Sequence, residues 1–101
     1  MVIEWLKVRV PSEVREEYIQ KDAEIWTQLL ASYSGFLNKE VWISPTKLDE
    51  VVLVIYWNSY EDWKAVESDR LDETERKFSQ AMGASYPIID SAEYQVRKFS
   101  H

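Results

Sequence analysis

The sequence predicts an α+β domain of ferredoxin-like βαββαβ order, a four-stranded antiparallel sheet with its helices on one face. Three observations carry that expectation. Segments at 2–10, 36–43, 51–57 and 92–99 read as strands, three of them by alternation of period two and 51–57 as a continuous apolar run. The stretches between the first and second strands and between the third and fourth carry apolar residues at helical spacing. A short loop joins the second and third strands, as in an antiparallel hairpin.

The first strand, "VIEWLKVRV" (2–10), places Glu4, Leu6, Val8 and Val10 on one face and Ile3, Trp5, Lys7 and Arg9 on the other. Neither face is cleanly polar, so both are expected to be covered at least in part. Pro11 ends the strand, and Ser12 is a suitable N-cap for the first helix. From Glu13 the period lengthens, and Val14, Tyr18, Ile25, Trp26, Leu29, Leu30 and Tyr33 make an apolar stripe. Glu13, Glu16 and Glu17 sit where the helix dipole favours negative charge, and Gly35 suits a left-handed stop.

"FLNKEVWI" (36–43) alternates Phe36, Asn38, Glu40 and Trp42 against Leu37, Lys39, Val41 and Ile43. "VVLVIYW" (51–57) is β-branched and apolar on both faces, as a central buried strand requires. Ser59 with Asp62 predicts a capped helix starting at Tyr60, with Trp63 as its first core anchor. A second helical piece carries Asp72 and Glu75 near its start and Leu71, Phe78, Ala81 and Met82 on one face. Gly83 closes that piece, Pro87 forbids its continuation, and "AEYQVRKF" (92–99) is read as the last strand.

A chain of 101 residues without linker or repeat is one domain over residues 1–101, large enough to bury a core. It contains no cysteine, which removes disulfides, thiolate metal sites and a Cys nucleophile. Eighteen acidic against twelve basic residues give a net charge of −6, which argues against a nucleic-acid partner. No stretch approaches the ~20 apolar residues of a membrane span, so a cytoplasmic protein without membrane association is expected. Five Trp, six Tyr and three Phe exceed what one small core holds, so some of them line a pocket or a subunit interface. Helices cover only one face of the predicted sheet, and a second copy of that sheet is the economical cover for the other.

"GFLNKEVWI" (35–43), "VVLVIYWNSYEDWKAV" (51–66), the Gly83 stop and the short final strand resemble the antibiotic-biosynthesis-monooxygenase-like proteins, and in particular a small uncharacterised branch of them. The resemblance spans nearly the whole chain. It implies a dimeric α+β barrel, in which two such sheets face each other and enclose a cavity. It also implies a range of activities: oxidation of aromatic polyketides without metal or flavin, haem degradation, or small-molecule binding. The haem-degrading members use an Asn in the first strand and a Trp and a His after the third. Here the first strand has no Asn, Val66 and Arg76 stand near the other two positions, and the single histidine is the last residue, His101. That pattern speaks against haem oxygenation.

No Ser–His pair, metal cluster or Gly-rich phosphate loop is present in the sequence. If one strand face lines the barrel, Asn38, Glu40 and Trp42 are expected on it, because Leu37, Val41 and Ile43 make the better helix-facing set. Glu4 is expected to face inward with them, and Tyr56 is a further candidate whose face the alternation leaves open. A buried Glu4 or Glu40 would have a raised pKa and could act as a general base. Asn38, Trp42 and Tyr56 would contact the ligand. The simpler reading makes Asn38, Glu40 and Trp42 dimer-interface groups, and it carries more weight because structural ion pairs also perturb carboxylates. Two functions follow: a cofactor-independent enzyme acting on a small aromatic or polyketide-like molecule, or a non-catalytic dimer that binds a small hydrophobic ligand or a protein. Neither calls for a cofactor or a metal.

Overall fold

The computed structural model describes residues 1–98; Phe99 and His101, singled out above, lie outside them. Strands β1 (Val2–Arg9), β2 (Phe36–Ile43), β3 (Glu50–Trp57) and β4 (Ile88–Gln95) form one sheet in the order β2-β3-β1-β4. Every neighbouring pair is antiparallel. Helical segments α1 (Arg15–Asp22) and α2 (Gln28–Leu30) follow β1, and α3 (Tyr60–Lys64) and α4 (Ser68–Met82) follow β3. This is the ferredoxin-like α+β order expected from the alternation.

The core lies between the helices and one face of the sheet. Val8, Val10, Val51 and Leu53 pack with Tyr18 and Phe78, and beside them Ile55 and Trp57 pack with Leu30 and Val66. Burying each such aliphatic or Phe side chain stabilises the fold by roughly 1.5–3 kcal/mol. Tyr18 meets Phe78 and Tyr86 edge-on at centroid distances of 5.1 and 5.6 Å, so three aromatic rings close one end of this layer.

The connection between β1 and β2 departs from a plain helix. A 3-10 turn at Ser12–Val14 precedes α1, closed by Val14 N–H donating to the Pro11 carbonyl, and the Ser12 side chain makes no cap. Between α1 and α2 the backbone widens into a π turn over Ala23–Thr27. Tyr18, Asp22, Trp26 and Leu30, each four residues apart, all reach the same cavity. In a regular helix of 3.6 residues per turn such a series would drift by about 120°. The wider π turn offsets part of that drift.

Ser59 caps α3 as expected. Its Oγ accepts from the Asp62 backbone N–H at 3.1 Å and donates to Asp62 Oδ2 at 2.9 Å. Gly83 takes the left-handed conformation that ends α4 (φ 77°). Gly35 does not take it; Gly83 is the single glycine with positive φ. The reason for Gly35 is proximity, since a Cβ there would lie 2.3 Å from Asp62 Cβ. Its carbonyl accepts from Asn58 N–H at 2.8 Å, tying the start of β2 to the cap of α3.

Three further expectations are corrected. The last strand begins right after Pro87 and runs Ile88–Gln95, four residues earlier at each end than read from the sequence. Helix α4 starts at Ser68, so Asp69, rather than Asp72, occupies its first turn. A bulge between Phe36 and Asn38 breaks the alternation of β2: Phe36 pairs with Trp57 and Asn38 with Tyr56, which are consecutive residues on β3. Phe36 therefore meets Trp57 edge-on on the helix side, at a centroid distance of 6.0 Å, while Asn38 lies on the opposite face.

Gly35→Ala is expected to destabilise the fold by roughly 1–3 kcal/mol through overpacking against α3. Urea denaturation measures the loss, and a double-mutant cycle with Asp62→Gly should recover part of it.

Candidate functional site

A cavity of about 480 Å³ lies between the helix-side face of the sheet and the helices. Its sheet wall is set by register. Glu4 on β1 pairs with Ile55 on β3, and Ile55 pairs with Lys39 on β2. Directly paired antiparallel residues share a face, so Glu4, Ile55 and Lys39 form one row across three strands. The Glu4 and Lys39 Cα atoms are consequently about 10 Å apart, two inter-strand spacings. Trp57, Trp26, Trp63 and Leu30 supply apolar walls, and Tyr18 and Tyr86 stand at the end nearer α4.

The Glu4 carboxylate accepts from Trp57 Nε1 at 3.3 Å. Burial raises its pKa above the ordinary carboxylate value, and Glu93, its partner on β4, adds to the rise. The Trp57 hydrogen bond and the positive charges of Lys64 and Lys39 oppose the shift without cancelling it. Lys64 is held beside the cavity by Trp63, its Nζ lying 4.0 Å from the ring centroid.

The Lys39 ammonium meets Asp22 Oδ2 at 2.6 Å, with side chains only 2% and 1% exposed. Apart from this ion pair, neither Asp22 Oδ1 nor Lys39 Nζ has a hydrogen-bond partner among the described residues. Burial raises the Asp22 pKa, and Lys39 pulls it back. Burial likewise raises the Tyr18 hydroxyl, with the Asp22 charge next in effect, so Tyr18 stays protonated at neutral pH.

The residues proposed from sequence fall on two faces. Glu4 faces the cavity with Leu6 and Val8, toward the helices. Asn38, Glu40, Trp42 and Tyr56 lie on the face without helices, so the expectation that Glu4 joins them is corrected by the strand register. On that open face Glu40 Oε1 accepts from Tyr56 Oη at 3.0 Å and from Trp42 Nε1 at 3.2 Å. Burial and the Glu40 hydrogen bond raise the Tyr56 pKa. Trp42 remains 47% exposed and Tyr94, from β4, 60%.

Asp22 and Lys39 were missed in the sequence. Two signals mark them: an acid in a strict four-residue series with Tyr18, Trp26 and Leu30, and a lysine on the helix-facing side of β2. Among the described residues no group of three or more His, Cys, Asp or Glu could hold a metal ion, and no helix is long and apolar enough to cross a membrane.

A family model described as antibiotic biosynthesis monooxygenase matches residues 1–71, most of the chain and all of β1 through α3. The chain belongs to the antibiotic biosynthesis monooxygenase family. Solved structures share its fold. A monooxygenase from the gene ActVA-Orf6 of Streptomyces coelicolor, in complex with nanaomycin D, superposes with a TM-score of 0.74 at 13% identity, covering 99% of this chain and 90% of that one. SnoaB, a cofactor-independent oxygenase from Streptomyces nogalater, gives 0.67 at 14% identity over 97% and 94% of the two chains. A conserved protein from Methanosarcina mazei gives 0.66 at 13% over 93% and 90%. At these identities the likeness is one of fold. No curated protein matches the sequence significantly.

The raised pKa of Glu4 has a consequence for stability with a definite sign. The unfolded chain releases this proton near pH 4.3; the folded chain holds it to higher pH. Stability contributed by Glu4 is therefore complete below that pH and is lost as pH rises through the folded value. Glu4→Gln is expected to raise the urea midpoint over wild type at neutral pH, with the advantage disappearing near pH ~4. Asp22 titrates in the same sense, so the difference between the two proteins isolates Glu4.

Proposed function

We propose that this protein is a cofactor-independent monooxygenase-like enzyme acting on a small aromatic or polyketide-like molecule, with Glu4 as its general base. The observation that carries the reading is a half-buried carboxylate of raised pKa lining an apolar, tryptophan-walled cavity. Such a base is stronger than a solvated carboxylate, and an apolar lining limits reprotonation of a carbanion by water. The two Streptomyces relatives are described as a monooxygenase and a cofactor-independent oxygenase, which supports the reaction class.

The chemistry balances with dioxygen as the sole co-reactant. Glu4 takes a proton from an activated CH₂ group next to an aromatic ring and a carbonyl. The carbanion gives one electron to O₂, and recombination of the two radicals forms a C–O bond. The Glu4 carboxyl returns its proton to the resulting peroxide. Loss of water, as the O–O bond breaks and the second C–H hydrogen leaves as a proton, yields a ketone.

Glu40 is the weaker candidate for this role, since it is spent on Tyr56 and Trp42 outside the cavity. Those residues, with Asn38, Trp5 and Tyr94, fit a second role: the open face is the interface of a homodimer, sheet against sheet, as in a dimeric α+β barrel. The half-exposed Trp42 and Tyr94, on the same face as Ile3, Trp5 and Val54, support it.

Oxygen consumption with an anthrone- or quinol-like substrate tests the reaction. Glu4→Gln should lower turnover by roughly 10²–10⁴-fold, the usual contribution of a general base. Turnover unchanged in that variant would remove Glu4 from the mechanism. Tight binding of such a molecule with no oxygen uptake by wild type would favour the non-catalytic ligand-binding dimer. Trp42→Asp places a charge within the proposed interface and is expected to convert a dimer to a monomer in multi-angle light scattering. A wild-type monomer at micromolar concentration would refute the dimer.

A further inference from the structure

Tyr18 lines the cavity, is only 5% exposed, and makes no side-chain hydrogen bond among the described residues. A buried Tyr hydroxyl ordinarily finds a partner. Packing gives no reason for this one, because Phe would make the same edge-on contacts with Phe78 and Tyr86. The partnerless polar atoms that are sealed from solvent belong to Asp22 and Lys39, so the Tyr18 hydroxyl differs from them in keeping accessible surface. The helices and the sheet cover the rest of the residue, and the cavity is where that surface opens. Tyr86, the neighbouring hydroxyl, is only half-buried and stands nearer bulk water.

We propose that the Tyr18 hydroxyl is the carbonyl-recognition donor of the cavity, selecting aromatic ligands that carry a ketone or quinone oxygen. The ligand oxygen accepts from Tyr18 Oη, which thereby gains the hydrogen bond it lacks. Burial and the charges of Asp22 and Glu75 keep the hydroxyl protonated at neutral pH, so it presents a proton and not a phenolate. The fold sets where that oxygen lies relative to the base. Tyr18 packs in the cluster that contains Val8 and Val10, whereas Glu4 stands four residues before Val8 on β1, about 13 Å away along the strand. A ligand that touches both carries its carbonyl at one end and its CH₂ group at the other, joined through the ring. Leu53 and Ile55 line the sheet side between them, and Trp26 the helix side. As Glu4 removes the proton, negative charge develops on the carbonyl oxygen, and the Tyr18 hydrogen bond strengthens. The assignment rests on reading this cavity as the ligand site, and binding alone tests it.

Binding of 1-tetralone and of tetralin is measured by titration calorimetry on the full chain and on Tyr18→Phe. The two probes share a fused bicycle and differ in the ketone oxygen. Tyr18→Phe should bind 1-tetralone roughly 2–10-fold more weakly than wild type, the usual worth of one neutral hydrogen bond, and tetralin equally well. Infrared difference spectra supply a signature that a packing role would not move. The ketone stretch of 1-tetralone bound to wild type should lie below its position in hexane, and should return toward that position in Tyr18→Phe. The variant keeps the ring and loses no bond within the protein, so its urea midpoint should equal or exceed that of wild type. A lower midpoint would place the hydroxyl in a bond within the protein and overturn the assignment. An unshifted stretch in wild type, equal 1-tetralone affinities in the two proteins, or failure of wild type to bind 1-tetralone would each overturn it as well. Glu4→Gln separates this result from the proposed reaction. Unchanged turnover there, with the ketone stretch still shifted, would sink the general base alone; an unshifted stretch with turnover lost in Glu4→Gln would sink the role of Tyr18 alone.

Discussion

The pairing of β1 with β3 at the centre of the sheet is the constraint on which the rest of the structure depends. Eight residue pairs, from Val2↔Trp57 to Arg9↔Glu50, lock these strands in one register. Side chains alternate with period two, so a slip of one residue would turn every side chain to the other face. In the observed register Leu6, Val8, Leu53 and Ile55 meet the helices, and Trp5, Val54 and Tyr56 face away. The same register carries Glu4 into the cavity. At the sheet edge the bulge at Leu37 restores phase, so that Lys39 enters the row with Glu4 and Ile55 while Asn38 stays outside.

Much of the fold is legible in the sequence because it rests on patterns that local chemistry enforces. Alternation in β1 and β2, the apolar run of β3, the Ser59 cap and the Gly83 stop all depend on neighbours in the chain. The failures have tertiary causes. Gly35 reads as a left-handed stop, but its missing side chain makes room for Asp62 on a helix 27 residues later. β4 is an edge strand with most of its residues exposed, so its hydrophobic pattern is weak and Pro87 alone marks its start. The π turn after Asp22 leaves no local signature that periodicity alone detects.

The candidate site was legible only in part for the same reason. Glu4 stands in the apolar stripe of Leu6, Val8 and Val10, and that stripe faces the helices rather than the barrel face of Asn38, Glu40 and Trp42 that the sequence reading assigns it. What makes a carboxylate tolerable there is the indole of Trp57, fifty-three residues away in sequence. Asp22 and Lys39 read separately as a helix charge and a strand charge. They become a buried pair only when the π turn keeps Asp22 on the sheet side and the bulge turns Lys39 toward it.

The charged groups also explain why this core contains a cavity at all. Protein interiors close to near-crystalline density wherever side chains can move together. Collapse of α4 onto the sheet here would press apolar groups such as Leu71 and Phe78 against Glu4, Lys39 and Asp22. Glu4, which is only half-buried, would then be desolvated further with no new hydrogen bonds, a cost that grows as the surroundings become drier. The Tyr18–Phe78–Tyr86 stack resists the same movement from the other end, because edge-on rings at 5.1 and 5.6 Å have little room to approach. Aromatic packing at one end and buried charge at the other therefore hold α4 off the sheet. The space between them is a consequence of what lines it.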